Sequence, residues 1–149
     1  MDWKAAPTDA SKNWINKSIE LQINLFCNWT CIACDSFSQL PFPFTKRGTM
    51  TVEQVDHFAD ELTAANGYFG RLRLLGGEPS LNPNFVEIAK LLHERLVVPG
   101  YLGRLEVVTN GSHKEKILPA KQYIEKVRIS DDNDKQKHHT ANLIHPPAS

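Results

Sequence analysis

The chain has 149 residues, 41% hydrophobic and 23% charged, which suits one globular domain and leaves little room for a second. Lys plus Arg and Asp plus Glu each number 17, so no basic excess is available for nonspecific binding to nucleic acid or an acidic membrane. No run approaches the roughly 18 apolar residues that span a bilayer, and the polar start lacks a secretory apolar stretch, so a soluble cytoplasmic protein is expected.

Residues 1–18 read as a polar lead-in whose Trp3 and Trp14 suggest packing onto the body. Leu21, Ile23 and Leu25 alternate with Gln22 and Asn24, the period of a strand with unlike faces. The prolines of Pro41-Phe42-Pro43-Phe44 rule out regular helix or central strand there. Thr51 and Gln54 form a capping box, and Val52, Val55, Phe58, Ala59, Leu62 and Ala65 recur at helical spacing until Asn66-Gly67. Arg71 to Leu75 alternates as a second strand and ends at Gly76-Gly77. Asn82 as cap and Pro83 at the first helical position then predict a helix carrying Phe85, Ile88, Ala89, Leu92 and Leu96, ended by Pro99-Gly100. A third strand over Leu105 to Val108, a weaker helix over 113–124 interrupted by Pro119, and a fourth strand over Val127 to Ile129 complete a βαβαβαβ order.

Strict alternation predicts a parallel sheet with helices on one face, since parallel neighbours need crossover connections. One strand phase is apolar: Leu21, Ile23, Leu72, Leu74, Leu105, Val107, Val127 and Ile129. The other holds Gln22, Asn24, Arg71, Arg73, Arg104, Glu106, Arg128 and Ser130, which reads either as the wall of a polar cavity or as a solvated face. Its four arginines against one glutamate would favour an anionic substrate, or would be solvated or paired elsewhere. A sheet that stops at the fourth strand leaves an unpaired edge, which suggests a partner that completes it.

Cys27, Cys31 and Cys34 are the only cysteines and lie within eight residues, which is poor material for a secreted disulfide framework. One short loop could place all three thiolates on an iron-sulfur cluster, where the missing fourth ligand would leave one iron open to a substrate. Zinc with one of His57, His93, His113, His138, His139 or His145 is the competing reading, although none stands at finger spacing. Free buried cysteines would more commonly be scattered through a core.

The C-x3-C-x2-C loop directly after the first predicted strand resembles that of the radical S-adenosylmethionine (radical SAM) enzymes, and Gly76-Gly77-Glu78-Pro79 after the second resembles their GGEP segment. Read alone, this tetrapeptide is also a plain turn. Thr109-Asn110-Gly111 and Ser130-Asp131, after the third and fourth strands, are similar to the family's later contacts, and each could equally be a structural turn. All four segments would share the carboxyl rim where parallel β/α architectures gather their active sites.

The resemblance covers residues 19–131 as a partial parallel β/α barrel of about four βα units of the usual six, with 132–149 as an irregular tail. It implies a 4Fe-4S cluster on Cys27, Cys31 and Cys34, and S-adenosylmethionine contacts from Gly76, Gly77, Glu78, Pro79, Thr109, Asn110, Ser130 and Asp131. Glu78 and the Gly76-Gly77 backbone would orient the cofactor's amino group. It further implies an electron donor and reductive cleavage to a 5'-deoxyadenosyl radical that abstracts hydrogen from a substrate. Three departures stand out: Ala33 where the family often has an aromatic residue, no fifth or sixth strand, and no later cysteines for an auxiliary cluster. A noncatalytic iron-sulfur or zinc-binding module, or an inactive front fragment of a longer radical SAM enzyme, is the alternative.

Overall fold

The structure, a computed structural model, describes residues 2–24 and 49–129. Seven main elements alternate in the expected order: β1 (Asn13–Gln22), α1 (Val52–Ala64), β2 (Gly67–Leu75), α2 (Phe85–Leu92), β3 (Leu102–Thr109), α3 (Lys114–Ala120) and β4 (Lys126–Ile129). The strands form one sheet in the order β1-β2-β3-β4, with every neighbouring pair parallel. Leu21, Leu74, Val107 and Val127 lie level across it. The apolar phase packs with the helices into one core that joins Ile23, Leu72, Leu74, Leu105 and Val107 to Val55, Ala59, Phe85, Ile88, Leu92 and Ile117.

The capping box forms as read: Thr51 Oγ1 accepts from the Gln54 amide at 3.2 Å, and Gln54 Oε1 accepts from the Thr51 amide at 2.9 Å. Asn66 ends α1 at φ 50, a left-handed position that asparagine tolerates, and β2 starts at the next residue. Past α2 the chain continues as a π-helical turn over His93–Val97, which keeps Leu96 in the core. Arg95 on this turn reaches Asp56 at 2.5 Å and Asp60 at 2.7 Å on α1, and the hydrogen bonds it donates to Asp60 and Asp56 raise its pKa.

Several boundaries differ from expectation. β1 begins at Asn13, inside the polar lead-in, because its pairing with β2 slips between Trp14 and Asn16 and the bulge at Ile15 breaks the alternation that would have revealed it. Asn82 does not cap α2. Asn84 occupies that position without a side-chain bond; Asn82 Oδ1 accepts from the Asn84 amide at 2.8 Å just ahead of the helix, while its Nδ2 reaches across to two other segments.

On β2 and β3 the polar phase is a part-buried wall, whereas Gln22 on β1 and Arg128 on β4 are exposed. The side chains of Arg71, Arg73 and Arg104 are only 19%, 16% and 24% exposed, and all three converge on Glu106. Arg71 lies 3.6 Å and Arg73 3.9 Å from Glu106 Oε1, Arg104 pairs with Oε2, and Arg73 also faces Glu20 at 3.6 Å. Trp3 covers part of this wall, with its ring 3.6 Å from the Arg71 guanidinium and 5.9 Å from that of Arg104. Gly70 makes room for this crossing, since a Cβ there would lie 1.7 Å from the Trp3 carbonyl oxygen. Trp3 thus packs on the body as expected, while Trp14 stays 45% exposed on the edge strand.

Candidate functional site

The carboxyl ends of the strands bring together three segments far apart in sequence. β2 stops at Leu75, and Gly76 passes so close to the end of β1 that a Cβ there would lie 2.3 Å from the Asn24 carbonyl oxygen. The Gly77 amide donates to that same oxygen at 3.1 Å, and Asn24 Nδ2 donates to the Glu78 carbonyl at 2.7 Å. Backbone and side chain of one asparagine therefore fasten the glycine turn to the first strand.

Glu78 is extended, as the following Pro79 demands, but its carboxylate turns into the protein. Oε1 accepts from the Asn110 amide at 2.6 Å; Oε2 accepts from the Ser80 amide at 3.1 Å, from Thr109 Oγ1 at 2.7 Å and from the Ser80 hydroxyl. The side chain is completely buried. Its carboxylate ties the end of β2 to the end of β3, and the backbone of Gly76-Gly77 forms the turn itself.

Thr109-Asn110-Gly111 is the other half of that tie. Thr109 Oγ1 also accepts from the Gly111 amide at 3.1 Å, and Asn110 Oδ1 accepts from the Ser112 amide at 2.9 Å, an Asx turn followed by Gly111 at φ 76. The segment forms a turn, and the turn is joined to Glu78.

Asn82 closes the third connection. Its Nδ2 donates to the Ile23 carbonyl at 2.7 Å and to the Met50 carbonyl at 3.1 Å, the Met50 amide donates to Ile23 at 2.7 Å, and Asn24 bridges Thr49 in antiparallel sense. The described chain thus leaves at Asn24 and returns at Thr49 on one corner, beside Gly76-Gly77. Cys27, Cys31, Cys34, Ser130 and Asp131 lie outside the described residues. Among the described residues no cluster of His, Cys, Asp or Glu could hold a metal ion. Asn24, Ser80 and Asn82 were not singled out as site residues from sequence. An Asn24 at the carboxyl end of the first predicted strand and an Asn two residues from Ser80 were the signals available.

The profile of the Radical SAM superfamily matches residues 21–132, which takes in the cysteine loop, the glycine turn and the Thr109 turn. The chain belongs to the radical SAM superfamily. Two solved structures resemble it. BtrN, in a complex with AdoMet and 2-DOIA, superposes with a TM-score of 0.60 at 21% identity, covering 80% of this chain and 54% of BtrN. Streptococcus suis SuiB, bound to S-adenosylmethionine, superposes with a TM-score of 0.54 at 15% identity, covering 74% of this chain and 24% of SuiB. At such identities the likeness shows the fold: an α/β partial barrel with one four-stranded parallel sheet. The chain spans about half the length of BtrN. No helix among the described residues is long and apolar enough to cross a membrane.

Proposed function

We propose that Cys27, Cys31 and Cys34 hold a 4Fe-4S cluster and that the rim at Gly76-Gly77 binds S-adenosylmethionine against it. The reduced cluster would supply one electron to the sulfonium carbon-sulfur bond of S-adenosylmethionine, whose cleavage would give methionine and a 5'-deoxyadenosyl radical for hydrogen abstraction. The observation that carries this reading is the clamped corner: Asn24 and Thr49, the two ends of the cysteine-bearing segment, are bonded together next to the glycine turn. Superfamily membership and the S-adenosylmethionine bound in both solved neighbours support it.

The chain's own residues do the positioning. Gly76, lacking a side chain, lets the turn sit against Asn24, and Pro79 and the buried Glu78 carboxylate fix where that turn stands relative to Thr109 and Asn110. Ser130 and Asp131, directly after β4, are assigned to the cofactor's ribose side. On the polar wall, three guanidiniums face one buried carboxylate and the half-exposed Glu20, a positive excess that favours an anionic substrate. An electron-donor protein or chemical reductant completes the system, and a reducing cytoplasm suits the thiolates.

Anaerobic reconstitution followed by quantification of iron, sulfide and 5'-deoxyadenosine tests this. The wild-type chain is expected to bind iron and acid-labile sulfide and to release 5'-deoxyadenosine under a strong reductant. Cys31→Ala is expected to lose the cluster's absorbance. Zinc without sulfide would overturn the assignment. Since the chain spans about half of BtrN, a second reading has a specific basis: a module that holds the cluster without turnover, recognised by iron and sulfide with no 5'-deoxyadenosine.

A further inference from the structure

The three arginines of the polar wall are not equivalent. Arg71 Nε donates to Ser18 Oγ at 3.0 Å and its guanidinium lies against the Trp3 ring, while Arg104 donates to Glu106 Oε2 from Nε at 2.5 Å and also from Nη2. Arg73 has only two longer ion pairs, 3.6 Å to Glu20 and 3.9 Å to Glu106, and makes no hydrogen bond among the described residues. Its Nε is buried without an acceptor. Buried donors are ordinarily met, so this one points to a group that arrives from outside the chain.

Position and charge agree with that. Arg73 stands on β2, which is paired on both sides: Glu20, Arg73 and Glu106 are level across β1, β2 and β3, and Ser18, Arg71 and Arg104 form the row below, partly covered by Trp3. Arg73 is therefore the guanidinium nearest the carboxyl rim, with three residues, roughly 10 Å of strand, between it and Gly76. That is deeper on the wall than the turn assigned to S-adenosylmethionine, where a second reactant would lie. Three guanidiniums against Glu20 and Glu106 leave one positive charge. Lys126, next in the upper row on β4, and Lys4, beside the Trp3 ring, are exposed, where solvent screens them.

We propose that Arg73 is the substrate anchor of the wall and that the group it holds is a single carboxylate. One unmet guanidinium and one uncompensated charge suit a planar monoanion, whereas a dianion such as sulfate or a phosphate monoester would leave an excess negative charge beside the buried Glu106. Arg71 and Arg104 are positioning residues, since they hold Glu106 and through it the wall on which Arg73 stands. Glu20 is the competitor that gives way: its side chain is 55% exposed and turns into water at little cost, while that of Glu106 is 2% exposed and does not. This inference rests on the preceding reading, and narrows its anionic substrate to a carboxylic acid held at a named residue.

The test titrates the full chain, isotope-labelled and reconstituted anaerobically, with acetate, its neutral isostere acetamide, or sulfate at constant ionic strength. Calorimetry gives the affinity, and NMR of the arginine Nε–H signals gives the location, the Arg73 signal being assigned by its loss in Arg73→Lys. Acetate is expected to move the Arg73 signal to saturation and acetamide to leave it in place, with sulfate at least about tenfold weaker than acetate. Arg73→Gln is expected to weaken acetate by about tenfold or more. Glu20→Gln is expected to tighten it about twofold to fivefold, a gain that a misfolded chain does not give and that decides the matter if Arg73→Gln fails to fold. Equal responses to acetate and acetamide, sulfate as tight as acetate, movement of the Arg71 or Arg104 signal in place of Arg73, unchanged acetate affinity in Arg73→Gln, or no gain in Glu20→Gln overturns the proposal. S-adenosylmethionine added beforehand is expected to leave acetate binding intact; its abolition would make the carboxylate the cofactor's own and overturn the proposal too. Cleavage of S-adenosylmethionine without saturable acetate binding refutes the Arg73 assignment alone. Acetate binding at Arg73 without cleavage refutes only the catalytic reading.

Discussion

At the carboxyl rim, Glu78 is surrounded by neutral donors, two backbone amides and two hydroxyls, whereas on the polar wall Glu106 is surrounded by three guanidiniums. Both carboxylates are buried. Neutral donors have fixed directions and belong to particular turns, so Glu78 sets geometry: it decides where the end of β3 stands relative to the glycine turn. Guanidiniums carry charge, so Glu106 sets potential: it lets three cations share one wall that they could not otherwise occupy. Under the function proposed above, a cofactor rim would need the first property and a substrate wall the second.

The largest effect is expected from Glu78→Ala. It leaves two buried amides and two buried hydroxyls without their acceptor, at a cost of about 4 kcal/mol in chemical denaturation. Glu78→Gln should recover only part of that, because its amide nitrogen must face a donor whichever way it is turned. Full recovery by glutamine would mean that Glu78 is an ordinary space-filling side chain, and the contrast with Glu106 would fail.

Glu106→Gln comes next, at about 3 kcal/mol, since removing one partner of a buried ionic group leaves the others uncompensated. Here the signature is electrostatic: added salt should recover stability in Glu106→Gln and leave Glu78→Ala unchanged. Identical salt responses in the two variants would dissolve the distinction.

How far the sequence disclosed all this depends on the range of each interaction. The strand and helix order was legible because alternation, the Thr51 and Gln54 capping box and the helical spacing of α1 are local patterns. The location of the rim was legible because Gly76-Gly77 follows an alternating strand. The inward turn of Glu78 was not, since it depends on Thr109 and Asn110, 31 and 32 residues away. Asn82 was misread for the same reason: next to Pro83 it has the local look of a cap, while its partners Ile23 and Met50 are brought to it only by the folded sheet. The start of β1 was hidden by a single bulge residue, Ile15, that shifts the strand's phase.

A smaller effect, about 1 to 2 kcal/mol, is expected from Thr109→Val, which keeps the shape and removes one hydroxyl from the Glu78 carboxylate. It also removes the acceptor of the Gly111 amide, so hydrogen exchange at Gly111 should accelerate while exchange in β2 and β3 stays protected. Loss of protection through both strands would show that the turn supports the core and not only the rim.

The smallest expected effect is on the wall. Trp3→Ala removes a ring stacked on Arg71 and should cost about 1 kcal/mol, the range of a cation–π contact at a partly exposed site. Trp3→Phe should keep part of that energy, whereas Trp3→Leu, similar in hydrophobicity but without a ring face, should not. Because Arg71 also faces Glu106, the loss from Trp3→Ala should shrink in a Glu106→Gln background, where the guanidiniums are no longer gathered beneath the ring. If the two losses simply add, Trp3 acts as a plain hydrophobic cover, and the wall is organised by Glu106 alone.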